Sequence, residues 1–236
     1  MQDQKGHRPC SWPWAGLLAL FLLWACPAQA EVAAVASAPH VVASQASPAP
    51  RVLRDAHWLA KAWAMPVASR YRSHIEYQRN LSFCGPTSLA NVAHSMGQPM
   101  DQTAVLEGSG ISTLAGYLPS GITLDALAQV ARLRFSGARV TVLRGLDLAA
   151  FRQHLRRVNE PDRRYIVNFS RTPLFGKGGG HHSPIAAFLE AEDLVLVLDV
   201  NQAFGSWLVK SADLLAAMNT HDDSAQAMRG LLLIEP

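Results

Sequence analysis

Apolar residues recur at every third or fourth position in three segments of the chain, which is the spacing of amphipathic helices. The pattern predicts helices over residues 84–96, 123–133 and 147–157. Gly97 follows the first segment as a stop signal, and Thr123 is placed to cap the second helix.

Runs of apolar and β-branched residues dominate the second half of the chain and predict strands. These runs cover residues 164–169, 182–190, 194–200 and 231–236. A short acidic turn separates the second and third runs, which indicates a hairpin. Helices followed by strands are typical of an α+β domain, with helices packed on an antiparallel sheet.

The N-terminal residues follow a different pattern. Basic residues precede an apolar run over residues 15–26, which is short for a membrane span. Small residues then lead to Ala30 as in a cleavage site, so residues 1–30 are predicted to be a secretory signal peptide. Cleavage there predicts an exported protein, with the periplasm as the expected compartment and no membrane attachment afterwards.

Two alternatives to this signal peptide remain open. A lipoprotein signal could end at Cys26, although the bulky Trp24 does not suit that signal. The apolar run could also stay uncleaved as a membrane anchor.

The remainder divides into two parts. Residues 31–50 are rich in Ala, Ser and Pro and are predicted to be a flexible linker. Residues 51–236 have the composition of one folded domain, long enough for a single core.

Removing residues 1–30 from a chain with 21 basic and 18 acidic residues leaves a net charge of +2. That weak, scattered charge argues against nucleic acid as a partner.

Cys84 is the only cysteine that follows the predicted signal peptide. It cannot form an internal disulfide, although thiols in an oxidising compartment are usually paired. Pro86 suits the first turn of a helix, so Cys84 lies at a helix N-terminus, where the dipole favours a thiolate. This stretch alone leaves a buried structural cysteine and a nucleophile equally open.

A nucleophilic thiolate needs a base, and the base needs an orienting group. His181 precedes a predicted strand, and Asp199 ends an apolar one, where a carboxylate is costly without a partner. If the hairpin turn is centred near Glu190, His181 and Asp199 lie opposite each other on one face of the sheet. A slip of one residue would move Asp199 to the other face.

Acyl transfer also needs hydrogen-bond donors for the oxyanion. The backbone N–H of Cys84 is one candidate, and the side-chain amide of Gln78 is another. The alternative for Gln78 is a solvated loop residue. The remaining histidines show no metal-ligand spacing with cysteines, so no structural metal site is predicted.

These motifs, in this order, resemble the catalytic domain of phytochelatin synthases over almost the whole of residues 51–236. The matching segments are 78–92, 120–140, 179–188, 194–200, 213–220 and 228–234. The resemblance implies a papain-like cysteine-peptidase fold. It also implies that Cys84 is the nucleophile, His181 the general acid/base, Asp199 its orienting group and Gln78 part of the oxyanion hole.

The resemblance also implies a reaction. Family members cleave the Cys–Gly bond of glutathione, release glycine and keep a γ-glutamylcysteinyl thioester. Water or a second glutathione, or a longer γ-Glu-Cys peptide, then accepts the acyl group. No cofactor is required, and cadmium or zinc would act through a metal–thiolate form of the substrate. The resemblance leaves a homodimer open.

The sequence departs from the family pattern at three places. Gln202 stands where an arginine often follows the aspartate, and His182 stands where an apolar residue usually follows the histidine. His182 is expected to be a structural or modulating neighbour rather than a second base. The cysteine-rich C-terminal region of plant members is not expected in this protein, because the last matching segment is followed directly by residues 235–236. Short prokaryotic members look mainly like glutathione hydrolases, so hydrolysis is expected to dominate.

Two other functions are compatible with these motifs. Bacteriocin-leader peptidases also have a Gln before a Cys-Gly helix start, although they usually follow the aspartate with proline, where this chain has Val200. A non-catalytic exported protein that binds thiols or metals is the other alternative. Acylation of Cys84 by glutathione distinguishes the enzymes from the binding protein.

Overall fold

The computed structural model describes residues 50–235. Within that range helices cover both faces of a seven-stranded sheet, and a short two-stranded ribbon lies apart from it. The helices are α1 (Ala56–Trp63), α2 (Pro66–Tyr71), α3 (Cys84–Ser95), α4 (Leu124–Arg134), α5 (Leu148–Arg156), α6 (Thr172–Phe175) and α7 (Ser211–Met218).

All neighbouring strands of the sheet are antiparallel, in the order β1-β6-β5-β4-β3-β9-β2. The strands are β1 (Val52–Leu53), β2 (Arg139–Leu143), β3 (Arg164–Ser170), β4 (Gly180–Leu189), β5 (Leu194–Leu198), β6 (Ser206–Lys210) and β9 (Leu231–Glu235). The ribbon pairs β7 (His221–Asp222) with β8 (Ala227–Met228).

The predicted α+β class is confirmed, as are the three predicted helices, which are α3, α4 and α5. The hydroxyl of Thr123 caps α4 by accepting a hydrogen bond from the Ala126 N–H. Gly97 follows α3 in the left-handed region, with φ of 76°, as a helix stop requires.

The four predicted strands are β3, β4, β5 and β9. β4 begins two residues earlier than predicted, so His181 and His182 both lie within it. β5 ends at Leu198, so Asp199 is the first residue beyond the strand.

Two hydrophobic cores lie on opposite faces of the sheet. Side chains from α1 to α4 form one core, and side chains from α5 to α7 form the other. The central strand β4 is buried on both faces, because every residue after Gly180 in it is covered. This central position holds the histidines of β4 firmly.

The predicted turn position of the β4–β5 hairpin is wrong. Leu189 pairs with Leu194, so the turn spans residues 190–193 and is centred beyond Glu190. With that turn alone, direct pairing would place Asp199 on the face opposite to His181.

A β-bulge restores the shared face. It lies between Ile185 and Ala187 and shifts the register by one residue, so that Ile185 pairs with Val197. Continued along the strands, this register puts Asp199 on the same face as His181, as diagonal rather than direct neighbours. The predicted shared face is therefore correct, for a different reason.

The predicted signal peptide (1–30) and nearly all of the predicted linker (31–50) lie outside the described residues. Within residues 50–235, no helix is long and apolar enough to span a bilayer.

α3 approaches its neighbours closely at Gly85. A Cβ added there would lie 2.2 Å from Cγ2 of Ile122. We expect Gly85→Ala to lower the free energy of unfolding by about 1–3 kcal/mol, because the buried neighbours must move. Urea unfolding measures the change, with Gly137→Ala as a control at an open position. Equal stabilities of the two variants would contradict this prediction.

Candidate active site

Cys84 is the first residue of α3, and no side chain caps this helix. Its backbone N–H therefore has no acceptor within the helix. The side chain is largely buried, with 8% of the residue exposed. The thiol Sγ lies 3.7 Å from Nδ1 of His182, within the range of a sulfur hydrogen bond.

Two adjacent histidines on β4 act on this thiol. His181 and His182 are 4% and 3% exposed. Burial raises the pKa of Cys84, but hydrogen bonding and charge from His181, followed by those from His182, outweigh it. The pKa of Cys84 is lowered well below its ordinary value. A depressed thiol pKa is the condition for a nucleophilic cysteine at neutral pH.

His181 also contacts the carboxylate of Asp199. Its Nε2 lies 3.0 Å from Oδ1, although off the line of a straight hydrogen bond. Burial lowers the pKa of His181, but the interactions with Asp199 and Cys84 outweigh it and raise the pKa overall. The structure therefore brings His181 and Asp199 into contact, and Cys84 and Asp199 both raise the pKa of His181, whereas the hydrogen-bond contact of the thiol itself is with Nδ1 of His182.

Arg171 is a further residue of this site that the sequence analysis missed. Its guanidinium donates two hydrogen bonds to Asp199, from Nη1 to Oδ2 over 2.7 Å and from Nη2 to Oδ1 over 2.8 Å. It also lies 3.8 Å from the centre of the Phe204 ring, in a cation–π contact. A buried carboxylate does predict a cationic partner, but the sequence does not say which arginine supplies it.

The carboxylate of Asp199 is 1% exposed yet remains ionised. Burial raises its pKa, but the interactions with His181 and Arg171 lower the pKa by more, so that it falls to about 2. Nε1 of Trp207 adds a donor 3.3 Å from Oδ2. Opposite charges and hydrogen bonds thus compensate the loss of water around this carboxylate.

Gln78 lies beside the end of β5. Its backbone N–H donates to the Val200 carbonyl oxygen over 2.8 Å. Its side-chain Oε1 is buried and has no hydrogen-bond partner within residues 50–235. Gln202, at the position where the family often has arginine, is exposed.

A cavity of about 430 Å³ opens beside Cys84, within the size range of small-molecule sites. Its lining includes His182 and Asn168 from the sheet, together with Asp222 and Arg229 from the C-terminal region. Arg229 Nη1 lies 3.4 Å from Asp222 Oδ2, and its Nε has no partner among the described residues. The same cavity is thus lined by the thiol, a carboxylate and a guanidinium.

The glycine run before β4 permits two close approaches. A Cβ at Gly180 would lie 2.6 Å from the Arg229 guanidinium, and a Cβ at Gly178 would lie 3.0 Å from Cβ of Arg171. Gly178 also has a φ of 95°, which favours glycine. Both arginines of the site therefore depend on these glycines for space.

A thiol at a helix N-terminus beside a histidine and a carboxylate is the arrangement of papain-like cysteine hydrolases and acyltransferases. The class that the fold and site define is therefore a cysteine-nucleophile domain of that kind. The model of the family described as phytochelatin synthase matches residues 36–231. The chain belongs to the phytochelatin synthase family.

Two curated relatives are similar to part of the chain. Glutathione γ-glutamylcysteinyltransferase 1 from Triticum aestivum is 29% identical over 177 residues, which are 69% of this chain and 34% of the relative. Glutathione γ-glutamylcysteinyltransferase 3 from Lotus japonicus is 34% identical over 118 residues, which are 48% of this chain and 24% of the relative. The chain thus spans about a third or less of the length of these relatives.

Two solved structures of bacterial peptidases are also similar. The peptidase domain of Streptococcus ComA is 17% identical with a TM-score of 0.47, over 69% of this chain and 99% of that domain. A C39-like peptidase from Bacillus anthracis is 11% identical with a TM-score of 0.48, over 70% of this chain and 96% of its own.

The depressed thiol pKa predicts the pH dependence of alkylation. We expect the rate of Cys84 alkylation by iodoacetamide to reach half its maximum well below pH ~8.5, the pKa of a free thiol. In His181→Asn the midpoint should move up, because the thiolate loses its main cationic partner. His57→Asn, at an exposed position, serves as the control. A wild-type midpoint near that of a free thiol would contradict the assignment.

The paired carboxylate predicts a stability that depends on Arg171. We expect Arg171→Met to lower the free energy of unfolding at neutral pH by about 3–5 kcal/mol, because Asp199 loses a buried charge partner. Arg156→Met is the control, since its pair with Glu190 is exposed and should contribute less than about 1 kcal/mol.

The same variant should change the pH dependence. The folded-state pKa of Asp199 is depressed, so its contribution to stability is complete above the unfolded pKa of about 3.9 and is lost as pH falls towards 2. In Arg171→Met the folded-state pKa of Asp199 moves up towards the unfolded value, so this loss should be smaller and should end at higher pH. Urea unfolding across a pH series measures it, and identical pH profiles would refute the assigned role.

Proposed function

We propose that the protein is a γ-glutamylcysteinyl transferase and hydrolase that cleaves the Cys–Gly bond of glutathione. The observation that carries the proposal is the position of the Cys84 thiol. Its pKa is depressed by the histidines of β4, and it lies beside a cavity that is lined by an acidic and a basic side chain. Membership of the phytochelatin synthase family and the names of the two relatives support the same reaction class.

In the first half-reaction, the Cys84 thiolate attacks the carbonyl carbon of the Cys–Gly bond. His181, protonated and oriented by Asp199, donates its proton to the nitrogen of the departing glycine. The C–N bond breaks, a C–S bond has formed, and a γ-glutamylcysteinyl thioester remains on Cys84. The raised pKa of His181 suits this acid role.

The oxyanion of this step needs donors that already point at it. The backbone N–H of Cys84 lies at the helix N-terminus and has no intrahelical acceptor. Gln78 is held beside the end of β5, and its amide is the second donor in this proposal. Removing one such donor typically costs about 10²–10³ in rate.

The cavity suits the γ-glutamyl end of glutathione, which carries an ammonium and a carboxylate. Arg229 lines that cavity and its buried Nε has no partner among the described residues, and a guanidinium is well matched to a carboxylate. Asp222 supplies the opposite charge for the ammonium. This charge pair favours a small zwitterionic substrate over an apolar peptide.

Water is the main acceptor in this proposal and gives γ-glutamylcysteine. A second glutathione or a γ-Glu-Cys peptide as acceptor gives phytochelatins. Cadmium or zinc enters as part of a metal–thiolate substrate, and no cofactor is required. Resemblance to the short prokaryotic members supports hydrolysis as the larger flux, and the N-terminal pattern supports an exported, periplasmic enzyme.

Incubation of the protein with glutathione tests the proposal. We expect release of glycine and γ-glutamylcysteine, measured by mass spectrometry, and in Cys84→Ser a rate lower by about 10⁴-fold or more, because the nucleophile is lost. A peptide with a double-glycine cleavage site serves as the alternative substrate, and His57→Asn as the control variant. Cleavage of that peptide alone, or no product from folded wild-type protein, would refute the assignment.

A further inference from the structure

His182 occupies a place between the thiol and the cavity. Its Nδ1 lies 3.7 Å from Sγ of Cys84, and its ring is part of the cavity lining. His181, in contrast, contacts Asp199 and the ring of Phe169 and is not among the cavity-lining residues. A molecule that approaches the thiol from the cavity therefore meets His182.

Besides Nε of Arg229, two buried polar atoms of residues that line this cavity lack partners among residues 50–235. One is Nε2 of His182, which is 3% exposed. The other is Oδ1 of Asn168, the residue that pairs with His182 across β3 and β4 and is 2% exposed. Unpaired buried polar atoms are costly, so they indicate a ligand that supplies the missing hydrogen bonds.

The chemistry of the two atoms indicates what that ligand is. The side-chain amide of Asn168 donates to the His181 carbonyl oxygen over 3.3 Å, which leaves Oδ1 as an acceptor. If Nδ1–H of His182 donates to the sulfur, neutral Nε2 is also an acceptor. Two acceptors match a molecule with N–H or O–H groups, such as water or an amine.

From these contacts we infer that His182 is a second catalytic base, which serves the second half-reaction of the proposed function. Nε2 takes the proton of the attacking acceptor, and Oδ1 of Asn168 orients that acceptor. This proposal departs from the expectation from the sequence that His182 is a structural or modulating neighbour.

In the second half-reaction, water is the attacking acceptor. The water oxygen attacks the thioester carbonyl carbon, and its proton passes to Nε2 of His182. A C–O bond forms, the C–S bond breaks, and Cys84 leaves as a thiolate beside the new imidazolium. The product acid releases its remaining proton to solvent and departs as a carboxylate. The imidazolium of His182 also returns its proton to solvent, and His181, left neutral by the first step, takes one proton back. With an amine acceptor, a C–N bond forms in the same way.

In this proposal the two histidines serve different half-reactions. His181, backed by Asp199 and Arg171, protonates the glycine nitrogen in the first step. His182 has no carboxylate within hydrogen-bond distance among the described residues and faces the acceptor side. The departing thiolate gains a cation at the moment when the C–S bond breaks, because Nδ1 lies against Sγ.

Single-turnover kinetics of His182→Asn and His182→Phe test this inference, which rests on the proposed function. Asparagine retains a donor near the position of Nδ1 but has no base at Nε2. We expect both variants to release one equivalent of glycine rapidly, to accumulate the acyl-enzyme in intact-protein mass spectra, and to form γ-glutamylcysteine about 10²-fold more slowly.

His181→Asn is the comparison variant, which should lose the glycine burst itself. Urea unfolding confirms that each variant is folded. Release of γ-glutamylcysteine at the wild-type rate, or equal loss of both steps, in the His182 variants would overturn the role of His182 alone. Wild-type protein that releases no glycine would overturn the proposed function as well.

Discussion

The carboxylate of Asp199 lies beneath the site with almost no contact with water, and two cationic side chains hold it there. Arg171 binds it through two hydrogen bonds, and His181 contacts it through Nε2. Arg171 reaches both carboxylate oxygens, and His181 shares Oδ1 with it. The position of His181, and through it the thiolate state of Cys84, depends on this buried charge being satisfied.

The residues of the candidate site come from elements that are far apart in sequence. α3 supplies the thiol, β4 the imidazoles, and the end of β5 the carboxylate. The antiparallel sheet brings β3, β4 and β5 side by side, so Arg171, His181 and Asp199 meet at one end of it. His181 lies within the central strand, which is buried on both faces, whereas Arg171 and Asp199 are the first residues after β3 and β5.

The charged residues of the cavity and those behind the imidazole are separated in space. The charge pair of Asp222 and Arg229 lies in the cavity, whereas Asp199 and Arg171 lie behind the imidazole. Gly178 and Gly180 allow the two arginines to approach β4 from these separate sides. His182 stands where the two regions meet, in contact with the thiol and open to the cavity.

The sequence by itself determined the main elements and the α+β class, and it predicted the thiol, imidazole and carboxylate of the candidate site. These depend on local periodicity, capping by Thr123 and motif spacing, which act over a few residues. It did not determine the hairpin register, because a bulge between Ile185 and Ala187 depends on packing on both faces of the sheet. Only the tertiary structure decided that Arg171 pairs with Asp199 and that His182 reaches the thiol, because contacts between residues so distant in the chain leave no local pattern.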